Sequence, residues 1–297
     1  MSRPRRNSDQ AGRGETGDTV VMSPVAIALW VIETALDREV GLAEIAAQSG
    51  ISRFHLSRVF GATTGVSPLR YARGRRLTEA ARHLAAGARD ILGVALDAGY
   101  GSHEAFTRAF RDQFGLTPEA VRARASLAGL PAMEKITMDQ NLNVPVAVPR
   151  IEEAPLLLIA GIGERYRFET NTGIPAQWQR LVPLLGHIPS QIGMTTYGVC
   201  CNADGAGSFE YIAGVEVAGF NRLPADLARI RLPARRYAVF THSGHVAGLR
   251  ASVYSIWNNA LPASGLEVAD APDFERYDAR FDPRTGQGEI DICIPLK

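Results

Sequence analysis

The sequence predicts a multidomain chain: an all-α double helix-turn-helix domain followed by an α+β domain of duplicated βαββ units. Three observations predict it. A length of 297 residues suits two domains at roughly 100–200 residues each. Helical periodicity punctuated by Ser, Gly and Pro fills the first part, then gives way near residue 126 to short apolar runs of strand type. Each part also repeats internally, at a shift of 49–50 in the first and 78–80 in the second.

Composition sets the class. The hydrophobic share of 46% is enough for real cores. No apolar run reaches the roughly 18 residues that a membrane span needs, and the charged, Gly-rich start has no apolar segment of a secretory leader. Three cysteines, two of them adjacent at Cys200 and Cys201, give neither a disulfide framework nor a CxxC metal spacing. The expectation is a cytoplasmic protein without membrane contact and without a metal. The net charge of +1 hides a division: residues 1–130 carry 17 basic and 13 acidic side chains, residues 131–297 carry 15 and 18. A basic half beside an acidic one suggests that the first half meets an anion.

Residues 1–22 read as a disordered polar tail. Ser23-Pro24 caps a helix through VAIALWVIETALD. LAEIAAQSG makes a second, stopped at Gly50, and a third runs from Ser52 through RFHLSRVF. A long helix from Pro68 ends at Gly87. Then come DILGVALDA, HEAFTRAFRDQF behind Ser102, and a last helix from Thr117-Pro118. The repeat is plain here. Ala46 falls on Ala95 and Gly50 on Gly99; Ser52 falls on Ser102, Leu56 on Phe106, Arg58 on Arg108, Phe60 on Phe110, Gly65 on Gly115 and Pro68 on Pro118. Each copy is a short helix, a Gly turn and a Ser-capped helix, the helix-turn-helix unit. Leu56, Phe60, Phe106 and Phe110 face the core, polar residues face out, and His55 reads as structural. Two joined units could place helices in successive major grooves about 34 Å apart. Gly74, inside the long helix, costs it about 1 kcal/mol relative to Ala.

At these residues the chain resembles the DNA-binding domain of the AraC/XylS family, over about residues 25–125 and most specifically in ALDAGYGSHEAFTRAFRDQFGLTPEAVR. The resemblance implies that the first recognition helix offers Arg53, Phe54, Ser57 and Arg58 to DNA. The second would offer Ser102, His103, Glu104, Thr107 and Arg108. Arg58 and Arg108 suit guanine or phosphate. Glu104 would either accept from a cytosine amine or repel phosphate. The domain is placed at residues 23–125.

Residues 126–143 read as a linker. Beyond it LLLIAGIG, YGVCC, FEYIAGVEV, YAVFTHSG, FERYDARF and EIDICIPL suit strands, while PAQWQRLVPLLG and HVAGLRASVYSIWNNAL suit helices. Pro155 falls on Pro233, Ala160 on Ala238, Trp178 on Trp257, Tyr197 on Tyr277 and Glu210 on Glu289. Two βαββ halves would form one sheet with both helices on one face. Glu275 stands among Phe and Tyr. By the residues alone it is either a buried pocket carboxylate or an exposed one paired with Arg276 or Arg280. The candidate walls Tyr166, Trp178, Tyr197, Trp257 and Tyr277 are each either core or pocket, and the cysteines read as small buried hydrophobes.

Residues 144–297 resemble the GyrI-like effector domain, through RIEEAPLLLIAGIGERY, RLPARRYAVFTHSGHV, DFERYDARF and EIDICIPLK. The resemblance implies that Glu275 sits in an aromatic-lined pocket that binds a cationic or polar ligand. Together the two halves imply a sequence-specific DNA-binding transcription regulator whose effector alters DNA binding or polymerase contact. Its expected partners are double-stranded DNA in two adjacent major grooves, a small-molecule effector of cationic or aromatic character, and RNA polymerase as a further candidate. The chain carries no G-x-S-x-G, H-E-x-x-H or P-loop motif, so no catalytic residue and no cofactor are expected. The rival readings are a GyrI-like hydrolase, with Glu275 and a tyrosine as acid and base, and a module that sequesters a drug or toxin.

Overall fold

The computed structural model describes residues 22–138, 143–204 and 207–297. The expected tail, apart from Met22, lies outside the described residues. The first part folds as α1 (Pro24–Glu33), α2 (Leu42–Gln48), α3 (Arg53–Thr64), α4 (Pro68–Ala85), α5 (Ile91–Asp97), α6 (His103–Phe114) and α7 (Pro118–Arg124). The two repeats are built alike. Ser52 Oγ accepts from the His55 amide and Ser102 Oγ from the Ala105 amide, each satisfying an orphan donor at a helix start. Both α3 and α6 end on a glycine in the left-handed conformation, Gly65 and Gly115. Leu56 and Phe60 are fully buried in one core, Phe106 and Phe110 in a second, and α4 runs between them.

The stretch expected as a linker has no regular structure in its described part, yet it is strapped to α4. The Met133 amide donates to Thr78 Oγ1 at 2.9 Å, the Ile136 amide donates to the Tyr71 hydroxyl at 3.0 Å, and Arg75 donates to the Met133 carbonyl at 3.0 Å. Gly74 has its reason here, because a Cβ at that position would stand 2.9 Å from Met133 Cβ.

Among the described residues, the second part forms one antiparallel sheet of nine strands. They are β1 (Arg150–Ala154), β2 (Leu157–Arg167), β3 (Gln191–Cys201), β4 (Ser208–Val217), β5 (Ala228–Leu232), β6 (Arg235–His245), β7 (Asp273–Tyr277), β8 (Phe281–Asp282) and β9 (Gln287–Pro295). Their order is β1-β6-β9-β7-β3-β4-β2-β5, with β8 beside β9. The halves β2-β3-β4 and β6-β7-β9 meet where β3 pairs with β7, and each leading strand, β1 or β5, crosses to the other half. After β2 comes α8 (Ile174–Leu181), and after β6 come α9 (Leu249–Ser255), a π-helical turn (Ile256–Ala260) and α10 (Leu261–Ser264). Both helical segments cover the same face, α8 over Tyr211 and Ala213, α9 and the π turn over Phe240 and Ile292. The opposite face curls on itself around Tyr197, Val199, Tyr237, Phe274 and Cys293. Among the described residues no helix is long and apolar enough to cross a membrane.

The two parts share a core. Leu56, Phe60 and Tyr71 belong to the same buried cluster as Phe240, Trp257 and Ile292.

Candidate functional site

Two constellations matter, the outer faces of α3 and α6 and the helix-covered face of the sheet. On α6 the expected residues lie at the surface, although the Thr107 hydroxyl oxygen itself is buried. Glu104 and Arg108 are exposed, and Ser102, His103 and Thr107 are partly so, with Ser102 engaged as the cap. His103 Nε2 lies 3.5 Å from Glu119. The Glu104 carboxylate is held below its ordinary range by its own backbone amide at the helix start and by Ser102.

On α3 the placement differs from the expectation. Arg53 is exposed and Phe54 half-buried, but Ser57 is fully buried and Arg58 is only 8% exposed. Ser57 is enclosed and Arg58 is turned to the second part of the chain, so neither is presented to DNA in this conformation. The Arg58 guanidinium donates from Nε to both oxygens of Asp273 at 2.7 Å, and its Nη2 lies 2.6 Å from Oδ2. Burial alone would lower its proton affinity, but the Asp273 charge outweighs burial and raises it. His55 is buried with its ring 5.1 Å from that of Trp257. That bears out its structural reading.

Glu275 lies beneath α8 on the helix-covered face and is 8% exposed. Its Oε2 accepts from the Tyr211 hydroxyl at 2.7 Å and the Tyr277 hydroxyl at 3.1 Å. Trp178 Nε1 donates to the Tyr211 hydroxyl at 3.1 Å, and its ring stands edge-on to Tyr277 at 4.9 Å. Burial pushes the Glu275 carboxyl up; the Arg58 charge and the tyrosine hydroxyls oppose that without reversing it. The surface ion pair with Arg276 or Arg280 is not formed, because those side chains go to Asp291 on the other face. Packing is tight enough to require Gly198, where a Cβ would stand 2.0 Å from Tyr211 Oη and 2.6 Å from Glu275 Oε2.

Of the five candidate walls, Trp178 and Tyr277 join Glu275. Tyr197 does not: it pairs with Arg276, on the opposite face, and packs against Phe274. Side chains alternate along a strand, so the sequence match of Tyr197 to Tyr277 is one residue out of phase. Tyr166 instead bonds Glu164 and Gln177 and steadies α8. Trp257 faces His55 of α3. Tyr211 and Asp273 were missed by sequence reasoning. Asp273 stands two residues before Glu275, and strand alternation alone puts both on one face.

Comparison with known proteins fits this division. Residues 147–297 match the GyrI-like small molecule binding domain, and residues 45–124 match a helix-turn-helix domain. Transcriptional regulator Rob of Salmonella typhimurium is 27% identical over 285 residues, which covers 91% of this chain and 96% of Rob. The right origin-binding protein of Escherichia coli K12 is 26% identical over 285 residues, with the same coverage of both chains. Transcriptional regulator BrlR of Pseudomonas aeruginosa is 33% identical over 149 residues, half of this chain and 54% of BrlR.

Proposed function

The chain belongs to the GyrI-like small molecule binding family, behind an AraC-type helix-turn-helix domain, and we propose that it is a transcription regulator in which α6 reads a major groove and the Glu275 pocket holds the effector. The observation that carries the pocket is the state of Glu275. It is buried and bonded by two tyrosine hydroxyls, and the cation acting on it comes from the other domain. A buried carboxylate favours a cationic partner, and Trp178 with Tyr277 offers aromatic faces to the same ligand. On α6, Arg108 reaches a base edge or phosphate from the first turns of the recognition helix. RNA polymerase is a further candidate partner for the protein bound beside a promoter.

The experiment is selection of a random-sequence duplex pool by the full-length protein at fixed salt, since affinities mean little without it. A short enriched block that disappears with Arg108→Ala supports the reading of α6. Enrichment that survives Arg108→Ala sinks it. Hydrolysis is the second reading, favoured by the hydrogen-bonded Glu275 and Tyr211 under α8. Turnover of an ester or epoxide panel lost with Glu275→Gln would bring it forward.

A further inference from the structure

The face of α3 that meets the effector domain carries His55, Arg58 and Gly61, three residues apart and therefore on one side of the helix. All three have a built seat. His55 lies on Trp257, Arg58 bonds Asp273, and the Phe168 ring stands where a Gly61 side chain would be, 2.1 Å from a Cβ placed there. Asn258 of the π turn adds a bond from Nδ2 to Thr63 Oγ1 at 3.3 Å. Glycine is the poorest helix former after proline; the approach of Phe168 accounts for it. In the second repeat the position of Gly61 is Arg111, and both Arg108 and Arg111 are exposed. The same helix face is thus basic and open in one repeat, glycine-notched and docked in the other.

The seat also adjoins Glu275, because Arg58 bonds Asp273 two residues before it and its charge acts on the Glu275 carboxyl. Asp273 and Glu275 point to one face of β7, 1% and 8% exposed. Two buried carboxylates so close need a cation, and Arg58 supplies it. Neither side can be left alone when α3 leaves. The acid pair then requires another cation, and Arg58 requires an anion such as a phosphate. A recognition helix held in this seat cannot enter a major groove.

Building on the Glu275 pocket read above, we propose that Arg58 is the resident cation of the effector pocket: a cationic effector exchanges with it at Asp273 and Glu275, and α3, released, takes the second major groove. The effector favours the undocked state because the docked one fills its place, the differential affinity that any such shift requires. By reciprocity, DNA that captures α3 raises effector affinity by the same factor.

Benzamidine is a fitting probe, since its amidinium copies the fork that Arg58 presents and its ring suits Trp178 and Tyr277. In the full-length chain, Arg58→Met is expected to bind benzamidine at least tenfold more tightly than wild type. Benzamidine is expected to speed hydrogen exchange of the α3 amides in wild type and leave those of α6 unchanged. Selection from a random duplex pool reads the other end. Wild type should enrich one short block. Gly61→Ala, or Asp273→Asn should Gly61→Ala fold poorly, should enrich two blocks about one helical turn apart, as should wild type with benzamidine.

Identical single blocks from wild type and both variants would overturn the proposal, as would two blocks from wild type without ligand. The two readings also fail separately. If Arg58→Met binds benzamidine no more tightly while Glu275→Gln still abolishes binding, the exchange is overturned and the pocket stands. If binding survives Glu275→Gln in both backgrounds, the pocket is misplaced and the exchange falls with it.

Discussion

Arg58 and Arg108 occupy the same position in the two repeats, and the fold gives them opposite surroundings: Arg58 is 8% exposed and bonded to Asp273, while Arg108 lies exposed on α6. Matching caps, turns and core positions therefore do not make the two recognition helices equivalent. What separates them is a tertiary contact with a strand 215 residues further on.

The contrast makes Arg108 the side chain to remove when testing DNA recognition. Arg108→Ala is expected to cost about 1–3 kcal/mol of specific DNA binding and to leave benzamidine binding as it was. Gel-shift titration against selected and scrambled duplexes at one salt concentration measures it. An equal loss on both duplexes would make Arg108 a phosphate contact and not a base reader.

Gly198→Ala tests the Glu275 shell without touching a charge. The added methyl would sit 2.0 Å from Tyr211 Oη, and β3 cannot retreat because it is paired on both sides, to β4 and to β7. Overpacking of this kind costs about 1–3 kcal/mol. Urea unfolding should show that loss, together with loss of benzamidine binding. A variant as stable as wild type would mean that the shell around Glu275 is looser than described.

The helix-turn-helix half was legible because its signals are local. Ser52 and Ser102 cap, Gly65 and Gly115 stop, and Leu56, Phe60, Phe106 and Phe110 recur at helical spacing. The sheet was legible where strands are apolar. The edge strands β1 and β5 escaped because their exposed Arg and Glu residues blank the hydrophobic pattern. Tyr197 was misplaced because the register of β3 on β7 is not written in either strand, and a slip of one residue exchanges the faces. Burial of Arg58 depends on docking between domains, which periodicity does not report. Its one trace in the sequence is Gly61, standing where the other repeat has Arg111.

On the far face, Asp291 is fully buried and accepts from Arg150 and Arg280 at 2.6 Å, Arg276 at 2.8 Å and Thr241 at 3.0 Å. Burial alone would raise its carboxyl, but these donors outweigh burial and hold it well below the ordinary 3.8. The folded state therefore binds this proton less readily than the unfolded one. The stabilisation is present above pH 3.8 and is lost as pH falls from there toward the folded value. Asp291→Asn should cost about 1–3 kcal/mol at neutral pH and flatten the acid limb of the stability curve. Chemical denaturation from pH 2 to pH 7 reads both, and an unchanged acid limb would remove Asp291 from the account.

Glu275 carries the opposite sign. Burial raises its carboxyl above 4.5 and Asp273 adds to the rise, while Arg58 on α3, Tyr211 on β4 and Tyr277 on β7 oppose it. Cys200 on β3 also acts within this group, but burial drives its thiol well up, so it stays neutral across the range. Between 4.5 and the raised value the folded chain binds more protons than the unfolded one, so this residue's contribution to stability declines as pH rises through that window. Cation binding runs the other way, because only the ionised carboxylate attracts an amidinium. Benzamidine affinity should climb with pH from 4.5 through the raised value and level off above it, and Glu275→Gln should abolish the climb. Calorimetric titrations from pH 4.5 to pH 8 test this directly. A wild-type affinity that does not vary with pH would remove the Glu275 charge from ligand binding, and the pocket reading with it.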